Sequence, residues 1–495
     1  MQLQTGLSYA LSDRMKMLAN HSVLCATLLA AVSVAAPACV DDADGIEDGV
    51  DEAFADDAGK ADGYSLTEAQ ATAVMAAADG LTAAQLKSAA GLTSRVAGNI
   101  AAYVAGADKR TGTADDQKFD SLEELDAIAY VGPQALTALL DYAKSAGLVR
   151  ADFLGRHDVS VLFPLTKAND RLMRASDAAL GGALLPTSAF SKIGRSLVNT
   201  VDDAAEYDAL RAFAVRFDPC FQTSIGGKCQ PQIRVVFQTF DAAAASTNDG
   251  TIHALYNLTD AQFADVTTQL RAIAPSANKK YRPLGVSPAL AAQGADGDYG
   301  TKLKAVVLSH AGAGNLARMT FMTRENARQG QWVFGGFHIK AEPTTGFPAP
   351  GKIKIFGSNE TEQTVNNHGF GSFDWAITPQ FADADGRMGT AAAALPTLSA
   401  KDKAKVYAWT QRQLSPTTNV PDTTDCASCH MANHPALKLE QADVKLPALD
   451  RGPRAVGASD MGGDNLRSFG YFFKDAMVSV RAANETAAVV RAINK

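Results

Sequence analysis

The chain has 495 residues, which is too long for one ordinary hydrophobic core and predicts two or three globular units. Its 46% hydrophobic and 20% charged residues are typical of a globular protein, and no later stretch reaches the roughly 18 uncharged apolar residues of a membrane-spanning helix. A net charge of -7 gives no broad positive field, which disfavours polyanionic partners such as nucleic acid.

Residues 1–38 have the pattern of an export signal. Arg14 and Lys16 precede the short apolar run 23–34, and small residues follow at 36–38. A buried helix is the alternative. The pattern predicts a protein outside the cytoplasm, in the periplasm, in the outer membrane or at the cell surface.

Cleavage after Ala38 would make Cys39 the new N-terminal residue. This arrangement resembles that of bacterial lipoproteins, and the resemblance implies a diacylglyceryl group on Cys39 as the protein's membrane anchor. Ala36 stands where that family usually has leucine, and the same residues fit ordinary signal-peptidase cleavage, so lipidation and simple secretion both stay open. Residues 39–63 are dense in Asp and Glu with few large apolar residues, which predicts a disordered acidic linker.

Residues 64–150 predict a small helical module, because apolar residues recur there at helical spacing. In the segments 86–100 and 125–136, a glycine ends one helix and a polar residue begins the next. These segments resemble tandem helix-hairpin-helix units, which occur in exported DNA receptors and in a minor pseudopilin. The module carries seven Lys and Arg against ten Asp and Glu, so we expect protein docking or a scaffold role and no nucleic-acid partner.

The loop 108–116 lies between the two hairpin segments and is acidic. It offers three carboxylates and a glycine, which suits a hard cation such as calcium. A solvated acidic loop without a bound ion is the alternative.

Residues 151–398 predict a central α+β domain with an antiparallel sheet or a β-sandwich. A helix is predicted over 203–215. Strands are predicted for β-branched and aromatic runs at 233–237, 304–308, 318–322, 331–334 and 352–356. Cys220 and Cys229 flank a turn-forming loop and are expected to form a disulfide in an oxidising compartment. With the helical module and a mostly helical region at 399–495, the expected fold class is multidomain α+β.

No catalytic pattern is evident in the central domain. Its histidines, which show no metalloprotease spacing, are His157, His253, His310, His338 and His368. Neither a Gly-x-Ser-x-Gly elbow nor a phosphate-binding loop occurs.

The sharpest motif of the chain is Cys426-Ala427-Ser428-Cys429-His430. Two thiols three residues apart lie on one side of a helical turn, so both can form thioether bonds to the vinyl groups of one porphyrin. The pentapeptide resembles the haem-attachment motif of c-type cytochromes. The resemblance implies covalent haem c bound at Cys426 and Cys429, with His430 as the proximal iron ligand.

Three other interpretations of this motif compete with haem. A zinc site would need further ligands, and His434 is the nearest candidate. A redox-active Cys-x-x-Cys is expected beside a strand-helix unit, which the flanking sequence does not show. A structural disulfide would leave the adjacent histidine unexplained.

The rest of the region 399–495 resembles a small cytochrome c loosely. Helices are predicted over 400–414 and from Asn484, with Glu485 in its first turn, towards Asn494. In the commonest small cytochromes the motif directly follows the first helix, whereas here the segment 415–425 intervenes. That departure bears on the predicted cytochrome c fold of this region more than on the predicted attachment of haem.

Met461 is the predicted sixth ligand of the iron. Such a methionine usually comes from a loop on the C-terminal side of the motif, and the glycines of 457–464 permit the irregular backbone that is needed. Met431 and His434 follow the proximal histidine too closely, and Met477 has the apolar context of a core residue. A histidine of the central domain, such as His368, is the alternative if the haem lies between domains.

Three functions are consistent with such a haem. If protein fills both axial positions, the iron does not readily bind oxygen or peroxide, and the protein would be an electron carrier with a redox partner protein. An open sixth position would suit a peroxidase, although the sequence offers no defined distal acid-base residue. A surface binding or scaffold lipoprotein with an accessory haem is the third. We expect electron transfer outside the cytoplasm, and a carrier rather than an enzyme.

Overall fold

An antiparallel sheet of ten strands is the largest element of the described part of the protein. The computed structural model describes residues 64–495 except 107, 114–115, 167–170, 195, 198–202, 223, 225, 275–278, 327–330, 342–347, 354–361, 368–374, 379–396, 418, 421–422, 433–434, 436–438, 440–465 and 467. All of the described residues belong to one compact unit.

The first helices are short, and hydroxyl side chains cap four of them. They are α1 (Glu68–Gly80), α2 (Ala83–Ser88), α3 (Ser94–Val104), α4 (Leu122–Asp126) and α5 (Pro133–Ser145). At the starts of α1 to α4, Thr67, Thr82, Thr93 and Ser121 each accept a hydrogen bond from a backbone N–H. The pairs α2–α3 and α4–α5 occupy the two hairpin segments. Gly91 lies between α2 and α3 at a φ of 72°, which favours glycine.

The strands of the large sheet pair with their neighbours in antiparallel register. They are β1 (Ser160–Leu162), β4 (Leu210–Phe221), β5 (Gln230–Asp241), β6 (Ser246–Thr247), β7 (Thr251–Asn257), β8 (Leu316–Asn326), β9 (Gln331–Ala341), β10 (Pro348–Lys352), β11 (Glu362–Asn367) and β12 (Trp375–Thr378). The order is β1-β4-β5-β7-β8-β9-β11-β12, with β6 paired to β5 and β10 paired to β9. A separate hairpin is formed by β2 (Ala178–Ala179) and β3 (Gly182–Ala183). The α+β class with a large antiparallel sheet is therefore confirmed.

Further helices lie before and between the strands of the sheet. They are α6 (Arg156–Val159), α7 (Thr187–Phe190), α8 (Asp203–Ala209), α9 (Asp260–Ile273), α10 (Pro288–Gln293) and α11 (Asp298–His310). A 3-10 turn at Ser191–Ile193 follows α7.

Two predictions for this part of the chain are wrong. The run 304–308 is helical and lies in α11, because Tyr299, Leu303 and Val307 recur at helical spacing and are buried together. The helix predicted over 203–215 ends at Ala209, and its second half is the buried start of β4.

The main elements of the described C-terminal part are three helices and a β-hairpin. They are α12 (Ala400–Leu414), α13 (Cys426–Met431), β13 (Phe469–Phe472), β14 (Asp475–Val478) and α14 (Val480–Ile493). The prediction for 400–414 agrees with α12. The last helix begins earlier than predicted, because Ser479 caps it by accepting the N–H of Ala482 at 3.1 Å.

The two faces of the sheet have different neighbours. Side chains alternate along each strand, and Val235 and Tyr256 lie on the face that packs into the main core. The other face carries Val236 and His253, which are paired in register between β5 and β7. This second face receives the C-terminal part, since Gln238 of β5 binds the backbone of β13.

Candidate functional site

The helix α13, which carries the Cys-x-x-Cys-His motif, is anchored at its start and along one side. It follows Asp425, whose carboxylate accepts hydrogen bonds from the N–H (2.9 Å) and the hydroxyl (2.7 Å) of Ser428. The N–H of Ala427 donates to the side chain of Gln363 in β11 at 3.1 Å. Ala427 and Met431 are fully buried in a cluster with aromatic side chains of β9. The helix is thereby fixed against the sheet.

The imidazole of His430 is held by a backbone carbonyl. Its Nδ1 donates to the oxygen of Leu466 at 2.5 Å, and the hydroxyl of Ser468 lies 3.4 Å from the same nitrogen. A proton on Nδ1 leaves Nε2 unprotonated, and Nε2 has no hydrogen-bond partner in the described part of the chain. Burial lowers the pKa of His430, so this imidazole is neutral at neutral pH. Histidine metal ligands commonly have this second hydrogen bond to a carbonyl.

The two cysteines of the motif are free thiols that line one cavity. Burial raises the pKa of Cys426 to about 12, and burial also raises the pKa of Cys429. Both therefore stay protonated at neutral pH, unlike the low-pKa thiolate of a redox-active Cys-x-x-Cys. Cys220 and Cys229 instead form a disulfide, as the sequence predicts.

The motif opens into a cavity between the sheet and the C-terminal elements. The cavity has a volume of about 440 Å³, which lies within the roughly 300–1,000 Å³ of cofactor and ligand sites. Two smaller cavities, of about 100 and 60 Å³, adjoin the same motif. His253 and His430 line all three, so the two imidazoles stand where the cavities meet.

Arg234 and Arg318 give the large cavity a cationic wall. Their guanidinium carbons lie 5.9 and 6.0 Å from the centre of the Phe221 ring. Strand register places the two arginines in one row on the second face of the sheet, with Leu255 between them. Guanidinium groups bind carboxylates by charge-assisted hydrogen bonds, so this wall suits a ligand with an acidic edge.

Glu485 of α14 joins three arginines at one end of the cavity. It contacts Arg216 directly and lies 2.8 Å from Arg481 and 3.6 Å from Arg234. Burial alone would raise the pKa of Glu485, but the three guanidinium groups outweigh it and hold that pKa well below its usual range. Arg481 also donates to three backbone carbonyls near the end of α12, those of Gln413, Ser415 and Asn419. The cluster thus ties α14 to the sheet and to the segment that leads to the motif.

His253 lies opposite His430, and the sequence did not identify it as a site residue. It belongs to β7, where Val236 and Thr320 are its partners on the neighbouring strands. The two imidazole ring centres are 6.4 Å apart and the ring planes differ by 34°. Burial, followed by the charge of Arg234, lowers the pKa of His253 well below its ordinary value. The only sequence signal was a lone histidine in the middle of a predominantly apolar strand.

Several predicted residues lie outside the described part of the chain, namely Cys39, His368, His434 and Met461. Met477 is buried in β14, in agreement with its prediction as a core residue. No three His, Cys, Asp or Glu side chains of the described residues are placed to hold one metal ion. Among the described residues, the additional ligands that a zinc site at the motif would need are therefore not present.

The predicted calcium loop is described only in part, since residues 114–115 lie outside the described part of the chain. The carboxylates of Asp108 and Asp116 accept hydrogen bonds from the loop's own backbone, at the N–H groups of Arg110 and Gly112. These bonds stabilise the turn by themselves, and calcium binding stays a prediction.

Within the described ranges no helix has the length and apolar character needed to cross a bilayer. Comparisons with protein-family models, with curated proteins and with solved structures find no match to this chain. The function is therefore inferred from the motif and from the geometry of the cavity around it.

Proposed function

We propose that the protein is an exported monohaem protein of the c-type cytochrome kind, which transfers electrons to or from a redox partner outside the cytoplasm. Haem c would be attached at Cys426 and Cys429, with His430 as its proximal ligand. One observation supports this most directly: two free thiols and the unpaired Nε2 of His430 line the same cavity.

The residues around the cavity fit a haem better than a bare metal ion. A porphyrin brings four nitrogen ligands of its own, so the protein need supply only axial ligands and attachment points. Arg234 and Arg318 are the residues that would pair with its two carboxylates. Phe221 and Val489 add apolar surface to the cavity wall, which suits a flat aromatic group.

The bound haem iron would supply the one-electron redox chemistry. The chain's own residues hold and orient the site. Asp425 and Gln363 position the motif helix, and the carbonyl of Leu466 keeps the proton of His430 on Nδ1. Such outer contacts set the orientation and basicity of a metal-bound histidine, and the covering sheet limits the access of water.

The finer organisation of the chain belongs to the same proposal. Residues 1–38 direct export, Cys39 carries a lipid anchor, and 399–495 form the haem-attachment region, for which the sheet supplies the opposite wall of the cavity. The Cys220–Cys229 disulfide is in keeping with an oxidising compartment.

Covalent attachment can be tested by expressing the full chain with a cytochrome c maturation system. We expect haem-dependent peroxidase staining at the protein's position on a denaturing gel, and a gain of one haem in the intact mass. Cys426→Ser and Cys429→Ser should each weaken the stain, because each removes one of the two thioether bonds. His430→Ala should remove the normal low-spin spectrum.

The matched control is the double variant Cys220→Ser with Cys229→Ser, which also removes two cysteines but leaves the motif intact. It should retain the stain. A wild-type protein that is exported and folded but unstained would contradict the proposed function.

A further inference from the structure

His253 is a half-buried imidazole without a hydrogen-bond partner among the described residues. The side chain lies on the second face of the sheet beside His430, where the C-terminal part covers the strands. Polar side chains in the interior of a protein normally have a hydrogen-bond partner, so an unpartnered imidazole beside a cavity calls for an explanation. The side chain keeps some accessible surface only because it lines the cavities beside His430.

The distance between His253 and His430 fits two ligands of one metal. A histidine nitrogen binds a metal at about 2 Å, which puts the ring centres of two imidazoles on opposite sides of that metal about 6 Å apart. The observed separation of the ring centres is 6.4 Å. The 34° angle between the ring planes is allowed, because each ring can turn about its own bond to the metal.

The sheet fixes His253 in place. It lies in an interior strand, hydrogen-bonded on both sides, with the Arg234–Arg318 row one step further along the same face. A ligand supplied by a strand in the middle of a sheet is more precisely placed than one from a loop. Met431, by comparison, is buried on the side of α13 that packs against β9 and β11.

We infer that His253 is the second axial ligand of the haem iron, on the side opposite His430. This inference rests on the proposed function. It replaces the sequence-based prediction of Met461 with a residue that the structure places beside the motif. Because protein then fills both axial positions, the site favours electron transfer over the binding of peroxide or other small ligands.

The test uses the full, exported, haem-loaded protein. We expect low-spin spectra in both oxidation states, no binding of carbon monoxide by the reduced protein and no far-red methionine charge-transfer band. His253→Ala should retain the haem stain but become high-spin when oxidised and bind one carbon monoxide per haem when reduced. Added imidazole should restore its low-spin spectrum, which a purely structural role of His253 would not predict.

Two more variants complete the test. His253→Met should stay low-spin and gain the far-red band, because a thioether would replace the imidazole. His310→Ala is the matched control: His310 is a buried histidine that binds Asp265 at 2.9 Å and lines none of the three cavities, so the spectra should not change.

The failures of the two proposals are distinguishable. A stained wild type that binds carbon monoxide at once, or that shows the far-red methionine band, overturns the assignment of His253 and leaves haem attachment intact. An unchanged low-spin spectrum in His253→Ala also overturns the assignment of His253 and leaves haem attachment intact. An unstained wild type overturns the proposed function, and the assignment of His253 with it.

Discussion

At the level of single residues, the carboxylate of Glu485 is held by Arg216, Arg234 and Arg481 at one end of the cavity. Glu485→Gln removes the negative charge and keeps the shape of the side chain, so the three guanidinium groups lose their counter-charge. We expect a loss of roughly 3 kcal/mol in the free energy of unfolding at neutral pH, as when one partner of a buried ion pair is removed.

The pH dependence of this loss follows from the lowered pKa of Glu485. Above its ordinary value of 4.5 the carboxyl is ionised in the folded and unfolded states, and its stabilising effect is fully present. As the pH falls below 4.5, the unfolded state takes up the proton first, so the difference between wild type and Glu485→Gln should shrink. Urea unfolding at pH 7 and pH 3 measures both differences.

Asp298→Asn is the control for this prediction. It removes a carboxylate from the exposed pair with Lys302, in which the lysine and aspartate side chains are 53% and 76% exposed, so stability should change little at either pH. A Glu485→Gln deficit that stays constant between pH 7 and pH 3 would contradict the role of its charge.

The residues of the site differ in how far the sequence could predict them. Cys426, Cys429 and His430 are adjacent in the chain, so a local pattern suffices. His253 is 177 positions before His430, and only strand register and the docking of α13 bring the two together. A single sequence does not show which residues of neighbouring strands are paired. His253 therefore could not be distinguished from the other scattered histidines.

At the level of elements, the hairpin β13–β14 connects the sheet to His430. Gln238 is fully buried, and its amide donates to the carbonyl of Tyr471 and accepts from the N–H of the same residue, both at 2.8 Å. A Cβ at Gly470 would lie only 2.7 Å from the Gln238 oxygen, so the contact needs glycine there. The chain just before β13 supplies the Leu466 carbonyl that holds His430.

We expect Gln238→Ala to loosen this hairpin. The two hydrogen bonds to the buried backbone of Tyr471 are lost, which should lower the free energy of unfolding by roughly 2–4 kcal/mol. Hydrogen-deuterium exchange should become faster in residues 466–478.

Gln232→Ala is the matched control for that exchange experiment. Gln232 lies on the same strand and is also buried, but its amide binds Asn257 of β7 at 2.6 Å. It should destabilise the protein without a selective effect on 466–478. Equal exchange of that segment in the two variants would argue against Gln238 as its anchor.

Element boundaries were predicted best where the caps are local. The helix α12 begins at Ala400 as predicted, because the side chain of Ser399 just before it accepts the N–H of Asp402. The run 304–308 was wrongly predicted as a strand, because so short a β-branched stretch does not show a helical or a strand periodicity. Tyr299 and Leu303, which precede it, are buried at helical spacing, and they identify the segment as part of a helix.

At the level of the whole molecule, α14 connects parts that are distant in sequence. Near its start Glu485 and Arg481 bind the sheet and the segment after α12. Near its end Arg491 binds Asp120 of the helical module at 2.7 Å, and Asn494 accepts a hydrogen bond from Arg150. The last helix therefore holds the module, the sheet and the motif region together.

On the proposed function, a lipid on Cys39 would attach the whole protein to a membrane. We expect mass spectrometry of the mature N-terminus to show a lipid-modified Cys39. Cys39→Ser should release the protein into the soluble fraction, whereas Cys25→Ser, a change within the apolar run 23–34, should not. An unmodified Cys39 would mean simple secretion, and a mature chain that retains residues 15–38 would refute export.

The burial of the motif helix has a consequence for how the protein is made. The motif helix is buried at Ala427, Ser428 and Met431. An enzyme that has to bind the whole pentapeptide therefore has no access to it in the folded protein. On the proposed function, the cofactor has to be installed while this segment is still unfolded. The strands of the large sheet precede the motif in the chain and can pair earlier. On the same proposal, the C-terminal part would then fold against the sheet last, after haem attachment.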